Sequence, residues 1–161
     1  MGAGKTSVAQ CLSHDLGLPA ADVDEVVVDS AGRTIATIFA EDGEEAFRDL
    51  ESAALAALAQ SYPKLVSCGG GIVERTENIS LMRQHGFVVL LDVSAQEAAS
   101  RVGGDPDRPL FAEAGAARAL YERRASLYEK AAHIRVATTG HTVEEVAGCV
   151  REELVTAGVL H

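Results

Sequence analysis

The feature that most constrains this chain lies at its start. Gly2-Ala3-Gly4-Lys5-Thr6 runs straight into a helical pattern, with Val8, Leu12 and Leu16 spaced along Ser7 to Leu16. Gly17 then stands where a helix C-cap glycine belongs. Glycines let successive backbone N–H groups wrap phosphate oxygens. A Lys in that setting reaches the β- and γ-phosphates of a nucleotide, and a Ser/Thr hydroxyl holds Mg²⁺. The helix that follows offers its N-terminal dipole to the anion. Gly4-Lys5-Thr6 completes the end of the pattern G-x-x-x-x-G-K-[ST], whose leading Gly would fall before Met1. Alone, the stretch suits a flexible Gly-rich terminus as well as a phosphate-binding loop.

The remaining pattern is that of an α/β chain. Leu65-Val66-Ser67-Cys68 and Phe87 to Val93 are apolar runs of strand length, the second apolar nearly throughout, which suits a parallel sheet covered on both faces. His133 to Ala137 reads as a further strand. Helical patterns are expected over Glu44 to Gln60, Ala95 to Arg101, Ala114 to Lys130 and Val143 to Thr156. A short helix or turn is expected over Asp24 to Ser30, and a short amphipathic segment over Ile35 to Phe39. Strands alternating with helices predict a mostly parallel sheet with helices on both faces, a three-layer α/β/α arrangement. The 161 residues contain no linker and fit one domain. With no Trp and 4% aromatics, Leu, Val, Ile and Ala must fill its core.

Charge and cysteine content narrow the function. A formal net charge of −10 argues against a nucleic-acid binder, which carries a basic face, and against a polybasic membrane contact. No apolar run approaches the roughly 20 residues of a membrane-spanning helix, and the Gly-rich start does not look like a signal peptide. Cys11, Cys68 and Cys149 are far apart, without a CxxC pair, which suits reduced thiols in a cytoplasmic protein.

Several short constellations could carry chemistry. Asp22-Val23-Asp24 puts two carboxylates at i, i+2, suited to a metal-bound water and a substrate hydroxyl, or to an acidic helix cap. Arg48 and Glu51 stand at i, i+3, as a surface ion pair would. Gly69-Gly70-Gly71 follows a strand; three glycines are costly to order and suit either a tight turn or close approach of backbone to a ligand. Arg101 to Pro109, RVGGDPDRP, fits a closing lid or a surface loop. Arg123-Arg124 and Tyr128 sit on one helical stretch, where a solvated basic face is the simpler reading.

In order and spacing these segments resemble the shikimate kinases. The phrases are MGAGKT, DVDEVV, GRTIATIFAEDGEEAFRDLE, SCGGGIV, RVGGDPDRPL and YERRASLYEKAA, from Gly2 to about Val136. The resemblance implies a P-loop kinase of the nucleoside-monophosphate-kinase-like group, with a five-stranded parallel sheet. The shikimate-binding region would cover about 24–52 and a lid about 101–113. It implies transfer of the γ-phosphate of ATP to the 3-hydroxyl of shikimate, giving shikimate 3-phosphate and ADP on the route to chorismate and the aromatic amino acids.

It also implies roles. Gly2, Ala3, Gly4, Lys5, Thr6 and Ser7 would hold the ATP phosphates, with Lys5 on the β/γ oxygens. Thr6 and, through water, Asp22 would hold Mg²⁺. Asp24 would bind the reacting hydroxyl and act as its base. Arg48 and Arg124 would clamp the shikimate carboxylate, with Gly70 offering a backbone contact between Gly69 and Gly71. Arg108 of the lid would meet ATP phosphates, and Arg101 would lie near the adenine side. Phe39, Phe47 and Glu51 match positions around the shikimate pocket. A monomer is expected, with no macromolecular partner.

The chain departs from the family pattern at its start, where a buried central strand would precede the phosphate loop. Three or four buried aliphatic side chains at about 1.5–3 kcal/mol each are a large share of a typical stability of about 5–15 kcal/mol. The expectation is therefore a start upstream of Met1, which intact mass of the native protein would test. Two other readings stay open: a gluconate-kinase-like enzyme, and a non-catalytic remnant that binds shikimate. At His141 relatives often carry a basic residue.

Overall fold

Gly4 sits at φ 71°, a left-handed conformation that glycine takes without steric cost. The chain turns there into α1 (Lys5–Leu16), and Gly17, at φ 64°, closes that helix as its spacing predicts. The computed structural model describes residues 3–62, 64–94, 97 and 114–161. After α1 come β1 (Ala20–Asp22), α2 (Val23–Ala31), α3 (Ile35–Glu41), α4 (Gly43–Ala59) and β2 (Leu65–Ser67). A 3-10 turn (Gly70–Glu74), α5 (Thr76–His85), β3 (Val89–Asp92), α6 (Ala114–Ala131), β4 (Ile134–Ala137) and α7 (Val143–Thr156) follow. Apart from residue 97, the helix expected over Ala95 to Arg101 and the loop Arg101 to Pro109 lie outside the described residues.

Local chemistry explains the helix starts. Asp22 caps α2 by accepting a hydrogen bond from the Asp24 amide. Thr34 caps α3 through the Thr37 amide. Thr142 and Glu145 form a reciprocal capping box on α7, which satisfies two of the amides a helix start leaves open.

The four described strands form two separate parallel pairs. Ala20, Ala21 and Asp22 of β1 face Leu65, Val66 and Ser67 of β2. Val89 to Asp92 of β3 face Ile134 to Ala137 of β4. Among the described residues no strand joins the two pairs, in line with the expectation that the family's first, central strand is missing from this chain. Ala3 packs against Leu91 and Val93 at the end of β3, and Thr6 Oγ1 lies 3.3 Å from Ser67 Oγ at the end of β2. Residues 3–6 thus sit between the C-terminal ends of the two pairs.

Two apolar clusters pack around the strands. Val8 and Leu12 of α1 meet Val136 of β4 and Val146, Val150 and Leu154 of α7. The larger core joins Val23 and Val27 of α2 to Ile38, Phe47, Leu55, Ile72 and Tyr128. It thereby fastens α2, α3, α4, the 3-10 turn and α6 around the C-terminal end of β1 and β2.

Candidate active site

Open parallel sheets bind ligands beyond the carboxyl ends of their strands, and there the candidate residues gather. β1 ends at Asp22 and β2 at Ser67, while α1 starts beside both. Thr6 Oγ1 donates to Asp22 Oδ2 at 2.8 Å and lies 3.3 Å from Ser67 Oγ. Asp22 Oδ1 accepts from the Asp24 amide at 2.9 Å. The sequence alternatives of cap and metal residue are therefore not exclusive: one Asp22 oxygen caps α2 while the other faces Thr6. Thr6, Asp22 and Ser67 form an all-oxygen donor set at the start of α1. That chemistry fits a hard divalent cation that keeps several of its waters. Lys5 and Ser7 sit in the first turn of α1 with Thr6.

The second half of the site is built on α4, the triple glycine and α6. Arg48 and Glu51 are not a surface pair. Arg48 is 7% exposed and Glu51 1%, and Arg48 Nη1 donates to Glu51 Oε2 at 2.8 Å. Arg48 Nη2 also reaches Glu44 Oε1 at 3.3 Å. Burial pushes the Glu51 carboxyl above its ordinary range, Arg48 pulls it back, and the Asp24 charge adds to the rise. Phe39 and Phe47 pack with ring centroids 4.9 Å apart, and the Arg48 guanidinium lies 5.1 Å from the Phe47 ring.

The triple glycine is a place of close approach rather than a bare turn. A Cβ on Gly69 would stand 3.4 Å from Glu51 Oε1 and 3.5 Å from Asp24 Oδ1. One on Gly71 would overlap the Arg48 guanidinium. Gly70 opens the 3-10 turn between them. Buried Asn78 of α5 fixes that turn by donating to the Ile72 carbonyl at 3.1 Å.

Arg124 of α6 is 2% exposed, so the solvated basic face read from Arg123-Arg124 holds only for Arg123. Arg124 Nε donates to Glu74 Oε1 at 2.8 Å, and Arg123 Nη2 donates to the same oxygen at 3.0 Å. Arg48 Nε lies 3.7 Å from Glu74 Oε2. Arginines from α4 and α6 thus converge on one carboxylate at the end of the 3-10 turn. Burial raises the Glu74 carboxyl, but the hydrogen bonds and charge of Arg124, then of Arg123 and Arg48, hold it below its ordinary value.

Sequence reasoning did not single out Glu74 or Ser67; neither belongs to a spacing pattern with its partners. Gly2, Arg101 and Arg108 lie outside the described residues. His141 is half exposed beside Glu145, at 3.6 Å.

Known proteins are similar to this chain over nearly its whole length. The family model described as shikimate kinase matches residues 1–155. The shikimate kinase of Symbiobacterium thermophilum is 39% identical, over 98% of this chain and 94% of its own length. That of Thermobifida fusca is 41% identical, over 98% of this chain and 92% of its own. Among solved structures, a shikimate kinase from Acinetobacter baumannii in complex with shikimate superposes with a TM-score of 0.94 at 29% identity, over 98% of this chain and 89% of that one. The shikimate kinase of Aquifex aeolicus gives a TM-score of 0.84 at 31% identity, over 100% of this chain and 95% of that one.

Proposed function

The chain belongs to the shikimate kinase family, and we propose that Asp24, Arg48 and Arg124 hold its shikimate while residues 2–7 hold its ATP. It is a P-loop kinase that phosphorylates shikimate with ATP. The observation that carries the residue assignment is the convergence of Arg48 and Arg124 on one carboxylate, with Gly71 against Arg48 and Asp24 beside Gly69.

Phosphoryl transfer needs positioning and charge stabilisation more than covalent help. Arginine presents a planar fork that matches a carboxylate. Arg48 and Arg124 set the substrate by its carboxylate, and Gly70 offers a backbone contact to the same ligand. Asp24 then faces the 3-hydroxyl, orients it towards the γ-phosphorus and takes its proton as the new P–O bond forms and the γ-phosphorus–oxygen bond to ADP breaks, with ADP as the leaving group. The backbone of the phosphate loop and the α1 N-terminus hold the ATP oxygens, and Lys5 offsets charge on the transferred group. A divalent cation, Mg²⁺ in this proposal, would be held by Thr6 and, through water, by Asp22; it would offset phosphate charge. Arg108 and Arg101 belong to the proposed lid of about 101–113. The unit is read as one domain, acting as a cytoplasmic monomer; no described helix is long and apolar enough to cross a membrane.

A coupled ADP-release assay with shikimate and with gluconate tests the substrate. Shikimate-dependent release supports the proposal, and release with gluconate alone overturns it.

A further inference from the structure

The arginine clamp already holds a carboxylate of this chain. Glu74 lies within ion-pair range of both arginines, 2.8 Å from Arg124 Nε and 3.7 Å from Arg48 Nε. The other two carboxylates on Arg48 belong to its own helix. Glu44 is one turn back, and Glu51 is 1% exposed at i+3; both hold the guanidinium from within α4. Glu74 comes from a different element, the end of the 3-10 turn, and its side chain keeps 24% exposure. It spans both arginines from outside their helices, so it is the carboxylate that an anion binding to the pair must displace.

We propose that Glu74 is a resident competitor for the substrate carboxylate, occupying the Arg48–Arg124 clamp in the free enzyme and yielding it when shikimate binds. The inference rests on the substrate-binding role given to Arg48 and Arg124 above. Arg123 gives the displaced group a place to go. It already donates to Glu74 Oε1, is 68% exposed, and sits next to Arg124 on α6. A swing towards Arg123 keeps Glu74 charged and paired while freeing Arg124 and Arg48. The arrangement also keeps two buried guanidiniums compensated when no substrate is present, since a buried charge without a partner is costly. Its consequence is a weaker apparent affinity: a ligand that binds only the open clamp has its dissociation constant multiplied by the inverse of the open fraction.

Two variants and one complex test this. Glu74→Gln removes the competing charge at constant shape. Glu74→Asp keeps the charge and shortens the reach. Both are expected to lower KM for shikimate, by roughly 2- to 5-fold if the competing pair is worth what partly exposed ion pairs usually are, with KM for ATP unmoved. In the wild-type complex with shikimate, the Glu74 Oε1 to Arg124 Nε contact, 2.8 Å in the free chain, is expected to be replaced by the shikimate carboxylate. A raised KM in both variants, or a complex in which Glu74 stays on Arg124, would overturn the inference and make Glu74 a positioning residue. Arg124→Met is the control for the underlying reading. If it binds shikimate like the wild type, the clamp assignment fails; if it loses binding while Glu74→Gln gains none, only the competitor role fails.

Discussion

A Cβ on Gly71 would stand 2.2 Å from Nη1 of Arg48 and 2.4 Å from its Cζ, so the glycine leaves the volume that the guanidinium occupies. Gly71 is not among the glycines with positive φ, so space and not backbone conformation demands it. Gly71→Ala should push Arg48 off its position. A misplacement of about 1 Å costs on the order of 100-fold in rate, and overpacking costs about 1–3 kcal/mol. Steady-state kinetics should show kcat/KM for shikimate down roughly 10- to 100-fold, while nucleotide binding stays near the wild-type value.

The buried Arg48–Glu51 pair gives a stability prediction. Removing one partner of a buried pair leaves an uncompensated charge and costs about 3–5 kcal/mol. Arg48→Met should lower the urea midpoint accordingly, because Glu51 is 1% exposed. Adding Glu51→Gln should recover most of that loss while shikimate turnover stays absent. A double variant no more stable than the single one would count against the pairing.

Acid should act through Glu74. Its folded pKa is lowered from 4.5, with Arg124 the leading stabilising partner against the cost of burial. A lowered carboxyl contributes stability that is present above the unfolded value and lost as pH falls through the folded one. Glu74→Gln should therefore be somewhat less stable than the parent near neutrality. The two should converge only as pH falls below the ordinary glutamate range and through the lowered folded value, as followed by urea denaturation at stepped pH.

These contacts also show how much could be read from the residues. Val143–Thr156 forms the helix its apolar spacing predicts, because one amphipathic face and a capping box agree locally. The order of DVD, FR, GGG and ERR along the chain was enough to point to the family. β1 was only half visible: Ala20-Ala21-Asp22 has no branched apolar residue, and its strand character comes from pairing with β2. α5 escaped notice because Thr76–His85 is polar on most faces and is held by Asn78 and by packing of Ile79 and Met82 against the larger core. Arg48 and Glu51 read as a surface pair because i, i+3 spacing is blind to the 3-10 turn that buries them. Glu74 was invisible for a similar reason: its partner Arg124 is 50 residues away.

The central claim is that Asp24 orients and deprotonates the 3-hydroxyl in a site where other residues hold ATP and the carboxylate. Removing a general base typically costs 10²- to 10⁴-fold, roughly. The direct measurement is single-turnover transfer to shikimate by wild type and Asp24→Asn, with product followed by ³¹P NMR and ATP affinity measured alongside. The account predicts shikimate 3-phosphate from the wild type, loss of turnover on that scale in Asp24→Asn, and nearly unchanged ATP affinity. Turnover within a few-fold of the parent in Asp24→Asn would contradict it.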